Sequence, residues 1–515
     1  MSENKKTVVR TRDGKVKGSY QEGLYIFKGI PYVAPPVGER RWLPPQPVEP
    51  WQGVRQAQTF GATSPQNWSP LNDIIPDFGV VEPRSEDCLY LNVWSPGLDD
   101  ARRPVLFWVH GGAFNLGSGS QPPYDASKLA RRGDAVVVTF SYRLGVFGFL
   151  RLNEVTGGKV PATGNEGLLD QIAALNWVRD NIAAFGGDPD NVTVFGESAG
   201  GMSIECLLAM APARGLFHKS IIQSSLGEIP GTPLSTAVKV AEQFLGTLGL
   251  SPGDVGAMRS LTPEQLLSAD VELRTRMAGP GEGQVMTITT PVMDGKTIPE
   301  VPVEAIKGGC ADSIPVLIGS TLDEFRLFGM ISPDFAKMSE AEMVKRCQMF
   351  IPAERVSGLI ETYRKARAGR GADTSPAGIF AAIQTDFMFR MPAIHFIEAQ
   401  QRYAPTYNYL FTWESPVKGG IFGACHALDI GFVFGTHNDS FWGSGPAADK
   451  LSAKMQDAWL AFARTGNPSC ESLGKWPDYG NRRVAMLLGE DCHLEEAAYD
   501  EERRAWELMP EVFGR

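Results

Sequence analysis

The stretch Val192 to Gly201, VTVFGESAGG, sets one serine, Ser198, among small residues directly after a run of apolar and β-branched side chains. A serine hydroxyl attacks a carbonyl only when a base takes its proton and nearby donors neutralise the oxyanion that forms. Gly-x-Ser-x-Gly alone decides nothing in a chain with 56 glycines. The surroundings decide: NVTVF reads as a buried strand and AGGMSIECLLAMA as a helix entered through small residues. Such a strand, turn and helix put the serine on a strained bend, flanked by glycines because adjacent backbones approach closely. The helix N-terminus beside it favours developing negative charge. Ser198 is therefore expected to be a catalytic nucleophile.

A second motif supplies the electrophilic half. VHGGAFNLGSGS leaves another buried strand directly into Gly111-Gly112-Ala113, where small side chains let backbone N–H groups converge on one point. The expected oxyanion-hole donors are the amides of Gly112 and Ala113 with that of Ala199, the residue after the nucleophile. Losing one such donor slows acyl transfer by about 10²–10³-fold. Phe114, next along the turn, and the segment SLGEIPGTP at 225–233 are candidate walls of the substrate pocket.

The elements that must position these groups read as an α/β chain. VLFWVH, AVVVTFS, NVTVFG, KSIIQSS, IPVLIGST and YNYLFTWES are short apolar runs, the pattern of strands buried on both faces of a parallel sheet. An amphipathic helix is expected over 166–184 and another over 451–465. Alternating strands and helices predict right-handed crossovers and a doubly wound, mostly parallel sheet. Residues at about 230–283 and 333–372 have helical periodicity and many charges, and read as helical excursions from one domain spanning 1–515. GIPYVAPPVGERRWLPPQPVEPW is irregular, but its apolar residues imply that it packs rather than links.

Four long stretches, GGDPDNVTVFGESAGG, SEDCLYLNVWSP, VVVTFSYRLGVFGFL and GNEGLLDQIAALNWVRDNIAAFGGDP, resemble the type-B carboxylesterases, α/β-hydrolases that include the cholinesterases. The likeness runs from GIPYVAPPVG to WPDYGNRR, nearly the whole chain. It implies the rest of the triad, which the residues by themselves leave open: Glu324 in VLIGSTLDEF as the acid and His426 in GACHALDIGFVFG as the base. The order Ser198, Glu324, His426 is that of α/β-hydrolases. Asp323 is the alternative acid. His110 is expected to be structural, His218 to sit where a strand begins, and His437 to lie at the surface or behind the triad. The resemblance also implies that Glu197, Ser224 and Asp429 hydrogen-bond around the triad, and that Arg41 and Glu86 form a structural ion pair. Cys88 of SEDC has no earlier cysteine to pair with, so the loop at about 66–84 is expected to be untethered by a disulfide.

Composition narrows the function. Lys and Arg number 49 against 59 Asp and Glu, a net charge of −10 that gives no footprint for nucleic acid or an anionic membrane. No apolar run approaches the roughly 20 residues needed to span a bilayer, and from the polar, charged MSENKKTVVRTRDGKV no secretion leader is expected. The seven cysteines and six histidines show no metal-ligand spacing, so neither metal nor cofactor is expected. Scattered, unpaired cysteines fit a reducing, cytoplasmic compartment. The expected function is hydrolysis of small to medium uncharged esters through an acyl-enzyme, by a monomer or small homo-oligomer. A lipase acting on longer acyl chains and a non-catalytic, cholinesterase-like binding module are the alternatives; the second lacks appeal because all three triad residues are present.

Overall fold

The computed structural model describes residues 7–79, 81–227, 231–278, 287–332 and 334–513. Among these described residues the central sheet has 11 strands. They are β1 (Ser19–Gln21), β2 (Leu24–Pro31), β3 (Tyr90–Ser95), β4 (Arg103–Val109), β5 (Val136–Phe140), β6 (Gly187–Glu197), β7 (Lys219–Gln223), β8 (Val316–Thr321), β9 (Thr406–Phe411), β10 (Val484–Leu488) and β11 (His493–Glu496). The spatial order is β11-β10-β9-β8-β7-β6-β4-β5-β3-β2-β1. From β10 to β5 the pairing is parallel; β1, β2 and β3 at one margin and β11 at the other run antiparallel.

The longer helices are α1 (Glu166–Asn181), α2 (Ala199–Ala209), α3 (Leu234–Thr247), α4 (Pro263–Ala278), α5 (Glu340–Cys347), α6 (Ala353–Gly369), α7 (Pro376–Thr385), α8 (Met391–Gln400) and α9 (Pro446–Thr465). Successive strand side chains point to opposite faces, and the cores divide accordingly. Phe107, Val138, Val194, Ile222 and Ile318 pack into one core with α1, α2 and α8. Their neighbours Trp108, Val137, Phe195, Ile221 and Leu317 pack into the other, with α9. Apolar runs without alternation follow directly, because both faces are covered.

Helix α1 differs from its amphipathic expectation: it is buried over most of its surface. Its two buried carboxylates are satisfied internally, Asp170 by a two-pronged pair with Arg143 at 2.8 Å and Glu166 by the amides of Thr163 (2.6 Å) and Gly164 (3.0 Å). Each helical excursion builds its own core. Residues of α3 and α4 pack on Phe147 and Leu150, and those of α5, α6 and α7 pack around Trp506. The second helical run continues past 372 through α7, after which α8 packs on the sheet, while positions 230, 279–283 and 333 lie outside the described residues. Arg41 and Glu86 form the expected ion pair at 2.5 Å, and Arg41 also donates to the Leu261 carbonyl at 2.8 Å. No described helix is long and apolar enough to cross a membrane.

Register decides where chemistry can gather. Val109 of β4 lies beside Gly196 of β6, Glu197 beside Gln223 of β7, and Gln223 beside Gly319 of β8. The carboxyl ends of four adjacent parallel strands thus come level, the place where open α/β sheets bind ligands.

Candidate active site

Ser198 occupies the bend between β6 and α2 with φ 56° and ψ −123°. A side chain held there costs about 1–3 kcal/mol and persists only where its surroundings impose it. They do: the Ser198 amide donates to the Gln223 carbonyl at 2.9 Å, and the Ser198 carbonyl accepts from Met202 at 2.9 Å. Close backbone approach explains the neighbouring small residues. A Cβ on Gly200 would fall 2.0 Å from the Val109 carbonyl oxygen, and one on Gly111 would fall 3.2 Å from the Ser198 Cβ.

The turn after β4 is equally constrained. Gly112, Ala113 and Phe114 all have positive φ, at 108°, 53° and 61°. The Gly112 carbonyl accepts from Asn115 (3.0 Å) and Leu116 (2.9 Å), and the Phe114 carbonyl accepts from Gly145 (2.7 Å). Among the described residues, the amides of Gly112 and Ala113 donate to no protein acceptor. Ala199 is the first residue of α2, so its amide has no acceptor within the helix. The Phe114 ring itself is buried against Phe149, with ring centres 5.0 Å apart. Of the segment 225–233, residues 228–230 lie outside the described residues.

Glu324 and His426, 102 positions apart, meet directly: Nδ1 of the imidazole lies 2.6 Å from Oε2 of the carboxylate. The other oxygen, Oε1, accepts from the Thr321 amide at 2.7 Å. Both carboxylate oxygens are thus engaged, and Nδ1 carries the proton that Oε2 accepts. Nε2 faces the other way, 3.1 Å from Oε1 of Glu197, the residue preceding Ser198. Asp323 turns elsewhere, accepting from the Ala424 amide at 3.2 Å and pairing with Arg326 at 3.4 Å. Two phenylalanines flank the imidazole, Phe328 at 5.1 Å and Phe389 at 5.0 Å between ring centres. No sequence motif points to either. Phe389 lies in a π-helical segment, Asp386–Arg390, whose irregular register no pattern in DFMFR announces.

The electrostatics are those of a buried cluster rich in carboxylates. Burial alone would push the His426 pKa down, but the charges of Glu197 and Glu324, with the Glu324 hydrogen bond, raise it to about 9. Burial raises Glu197 to about 8, against the lowering pull of His426. Asp429 is pushed up to about 6, chiefly by burial, while hydrogen bonds from Gln223 (2.8 Å) and Tyr409 (2.9 Å) restrain it. Gln223, unremarked in the sequence, therefore holds the Ser198 amide with its carbonyl and Asp429 with its side chain. Ser224 has φ 51° and donates its amide to Gly319 at 2.8 Å, leaving its hydroxyl without a protein partner among the described residues.

Three other histidines have partners of their own. His110 is buried, stacked on Tyr142 with ring centres 4.3 Å apart, and burial holds its pKa down at about 4. His218 receives the Val192 amide at Nδ1, 3.1 Å away, where β7 begins. His437 pairs with Asp449 at 3.0 Å and stacks on Phe432.

A serine on a strained bend, an adjacent turn with constrained backbone and a carboxylate-bound histidine are shared by many hydrolases, and kinship distinguishes among them. The family model of the carboxylesterase family matches residues 5–506. The chain belongs to the carboxylesterase family. This carboxylesterase is 41% identical over 505 residues to the para-nitrobenzyl esterase of Bacillus subtilis (strain 168), across 96% of this chain and 98% of that protein. It is 34% identical over 497 residues to the phenmedipham hydrolase of Pseudarthrobacter oxydans, across 94% and 95% of the two chains. Among solved structures, a Geobacillus stearothermophilus carboxylesterase superposes with a TM-score of 0.84 at 41% identity, covering 97% of this chain and 100% of that one. The fold is the α/β-hydrolase fold, and the protein is a carboxylic ester hydrolase.

Proposed function

We propose that this carboxylesterase cleaves small to medium uncharged carboxylic esters through an acyl-enzyme, with Ser198, His426 and Glu324 as its catalytic triad. The observation that carries the reading is the 2.6 Å bond between Glu324 and His426, whose Nε2 lies 3.1 Å from Glu197, the residue preceding a serine held at φ 56°. Ser198 Oγ attacks the ester carbonyl carbon as His426 Nε2 takes its proton. Glu324 keeps the imidazole in the Nδ1–H tautomer and stabilises the imidazolium. The amides of Gly112, Ala113 and Ala199 bind the oxyanion. Collapse of the tetrahedral intermediate breaks the bond to the alkoxy oxygen, and His426 returns the proton to the departing alcohol. Water then adds to the acyl-enzyme by the same route, releasing the acid and restoring Ser198.

Glu197 and Asp429 act around the triad by charge, and the buried Ser224 hydroxyl is available there to hydrogen-bond. Phe114 backs the carbonyl end of the ester, and the rings of Phe328 and Phe389 offer apolar surface beside His426. Likeness to a para-nitrobenzyl esterase supports esters with an aromatic alcohol part. Seven unpaired cysteines support a cytoplasmic location. The helical excursions belong to the same single domain, which works as a monomer or small homo-oligomer without nucleic acid. The test is the initial hydrolysis rate on p-nitrophenyl acetate, butyrate, octanoate and palmitate, with Ser198→Ala in parallel. The reading expects a maximum at short chains that vanishes in the variant; serine-independent turnover would overturn it.

A further inference from the structure

The loop after residue 63 is closed without a disulfide, for Cys88 is unpaired. The Thr63 amide donates to Pro83 and the Thr63 carbonyl accepts from Ser85, both at 2.9 Å, while the Thr63 hydroxyl donates to Val81 at 2.8 Å. Just inside this base sits Gln66, 3% exposed and with its whole side-chain amide engaged. Its Oε1 accepts from the Gly117 amide at 2.8 Å, and its Nε2 donates to the Gly117 carbonyl at 3.0 Å and the Ser64 carbonyl at 3.1 Å. The orientation of the amide is fixed, since a backbone N–H can only donate and a carbonyl can only accept. Arg84 locks the other end of the residue, donating to the Gln66 carbonyl at 2.9 Å.

Gly117 closes the turn that begins at Gly111. Its φ is 100°, and a Cβ there would fall 2.7 Å from His110 Nδ1 and 2.8 Å from the Gly111 carbonyl oxygen. The Gly117 backbone thus lies close against the start of the turn, immediately before the amides of Gly112 and Ala113. Three successive residues with positive φ persist only where neighbours over-determine them. Inside the turn, that support comes from the bonds to Gly112 and Phe114 carbonyls, and at its root from the Tyr142 hydroxyl, which donates to the His110 carbonyl at 2.8 Å. From outside, Gln66 grips both sides of Gly117 at once.

We infer that Gln66 is a positioning residue for oxyanion binding: its two-sided grip on Gly117 holds the 111–117 turn so that the Gly112 and Ala113 amides converge. The inference rests on the proposed role of those amides. It also gives the base of that loop, where Thr63 and Arg84 tie its two ends, a part in turnover as the mount of the clamp. Gln66→Met keeps the side-chain volume and removes all three hydrogen bonds. Gln66→Glu retains the acceptor for Gly117; when protonated, it also regains one donor in the position of Nε2.

The experiment measures kcat and KM for p-nitrophenyl butyrate and the affinity of an alkyl trifluoromethyl ketone, to whose carbonyl Ser198 adds to give a tetrahedral oxyanion. For Gln66→Met, kcat is expected to fall about 10–100-fold, short of the loss of a donor itself, with KM within about twofold. Ketone affinity should fall by the same factor as kcat/KM. For Gln66→Glu, the ratio of variant to wild-type kcat should climb as pH falls and the side chain gains its proton. A folded Gln66→Met protein with wild-type kcat, or one changed only in KM with unaltered ketone affinity, would overturn the inference. Should that variant not fold, a pH-independent ratio for Gln66→Glu overturns it. Ser198→Ala, run beside them, separates the two claims: continued turnover there would overturn the underlying reading and this inference with it, whereas an inactive Ser198→Ala beside an unaffected Gln66→Met overturns the inference alone.

Discussion

Glu197→Gln should move the acid limb of the pH–activity profile to lower pH. The Glu197 carboxylate lies 3.1 Å from His426 Nε2, and its charge helps to raise the histidine to about 9. At an effective dielectric constant near 20, two unit charges at that separation interact by about 5 kcal/mol, a ceiling of about 4 pH units. The realised shift is smaller, because Glu197 is itself pushed up to about 8 and is charged over only part of the range in which His426 titrates. We expect about 1–2 units, the usual effect of one close opposite charge. The base accepts a proton only as the neutral imidazole. Removing a negative charge favours that form, so the active enzyme persists to lower pH. The assay is kcat/KM for ethyl butyrate by pH-stat, since kcat/KM reports the ionisation of the free enzyme. A midpoint that stays in place or moves upward would refute the assignment of Nε2 as the proton acceptor facing Glu197.

Other outcomes follow from the same geometry. Glu324→Gln should lower kcat by about 10³–10⁴-fold, because an amide can hold the wrong histidine tautomer. Asp323→Asn, whose carboxylate serves Ala424 and Arg326 instead, should leave kcat within about tenfold on the same steady-state assay, well short of the loss at Glu324. Gly200→Ala should destabilise the protein by about 1–3 kcal/mol in urea unfolding, since its methyl meets the Val109 carbonyl. Glu86→Gln leaves the buried Arg41 without its carboxylate partner and should cost about 3 kcal/mol in the same measurement, with activity per folded molecule retained.

Legibility in the sequence followed physical cause. Strands buried on both faces announced themselves as apolar runs, and β4 to β9 lie within a few residues of where VLFWVH, AVVVTFS, NVTVFG, KSIIQSS, IPVLIGST and YNYLFTWES stand. The short antiparallel strands β1 and β11 carry exposed polar residues and gave no comparable signal. Ser198 and the 111–114 turn were readable because strain demands small residues at fixed spacing. Glu324 and His426 were not readable from chemistry alone: each follows a strand far along the chain, and only the fold brings them to 2.6 Å. The family resemblance supplied them. Gln66 escaped for a related reason, since a glutamine in a proline-rich stretch has no local pattern and its partner is 51 residues away.

The central claim is that Ser198 carries the acyl group. The most direct measurement is peptide mapping by mass spectrometry of enzyme quenched in acid during the first turnover of p-nitrophenyl acetate. The account predicts one acetyl group per chain, on the peptide containing Ser198 and at that hydroxyl, absent from both Ser198→Ala and unreacted protein. An acetyl group at another residue, or full turnover by Ser198→Ala, would contradict it.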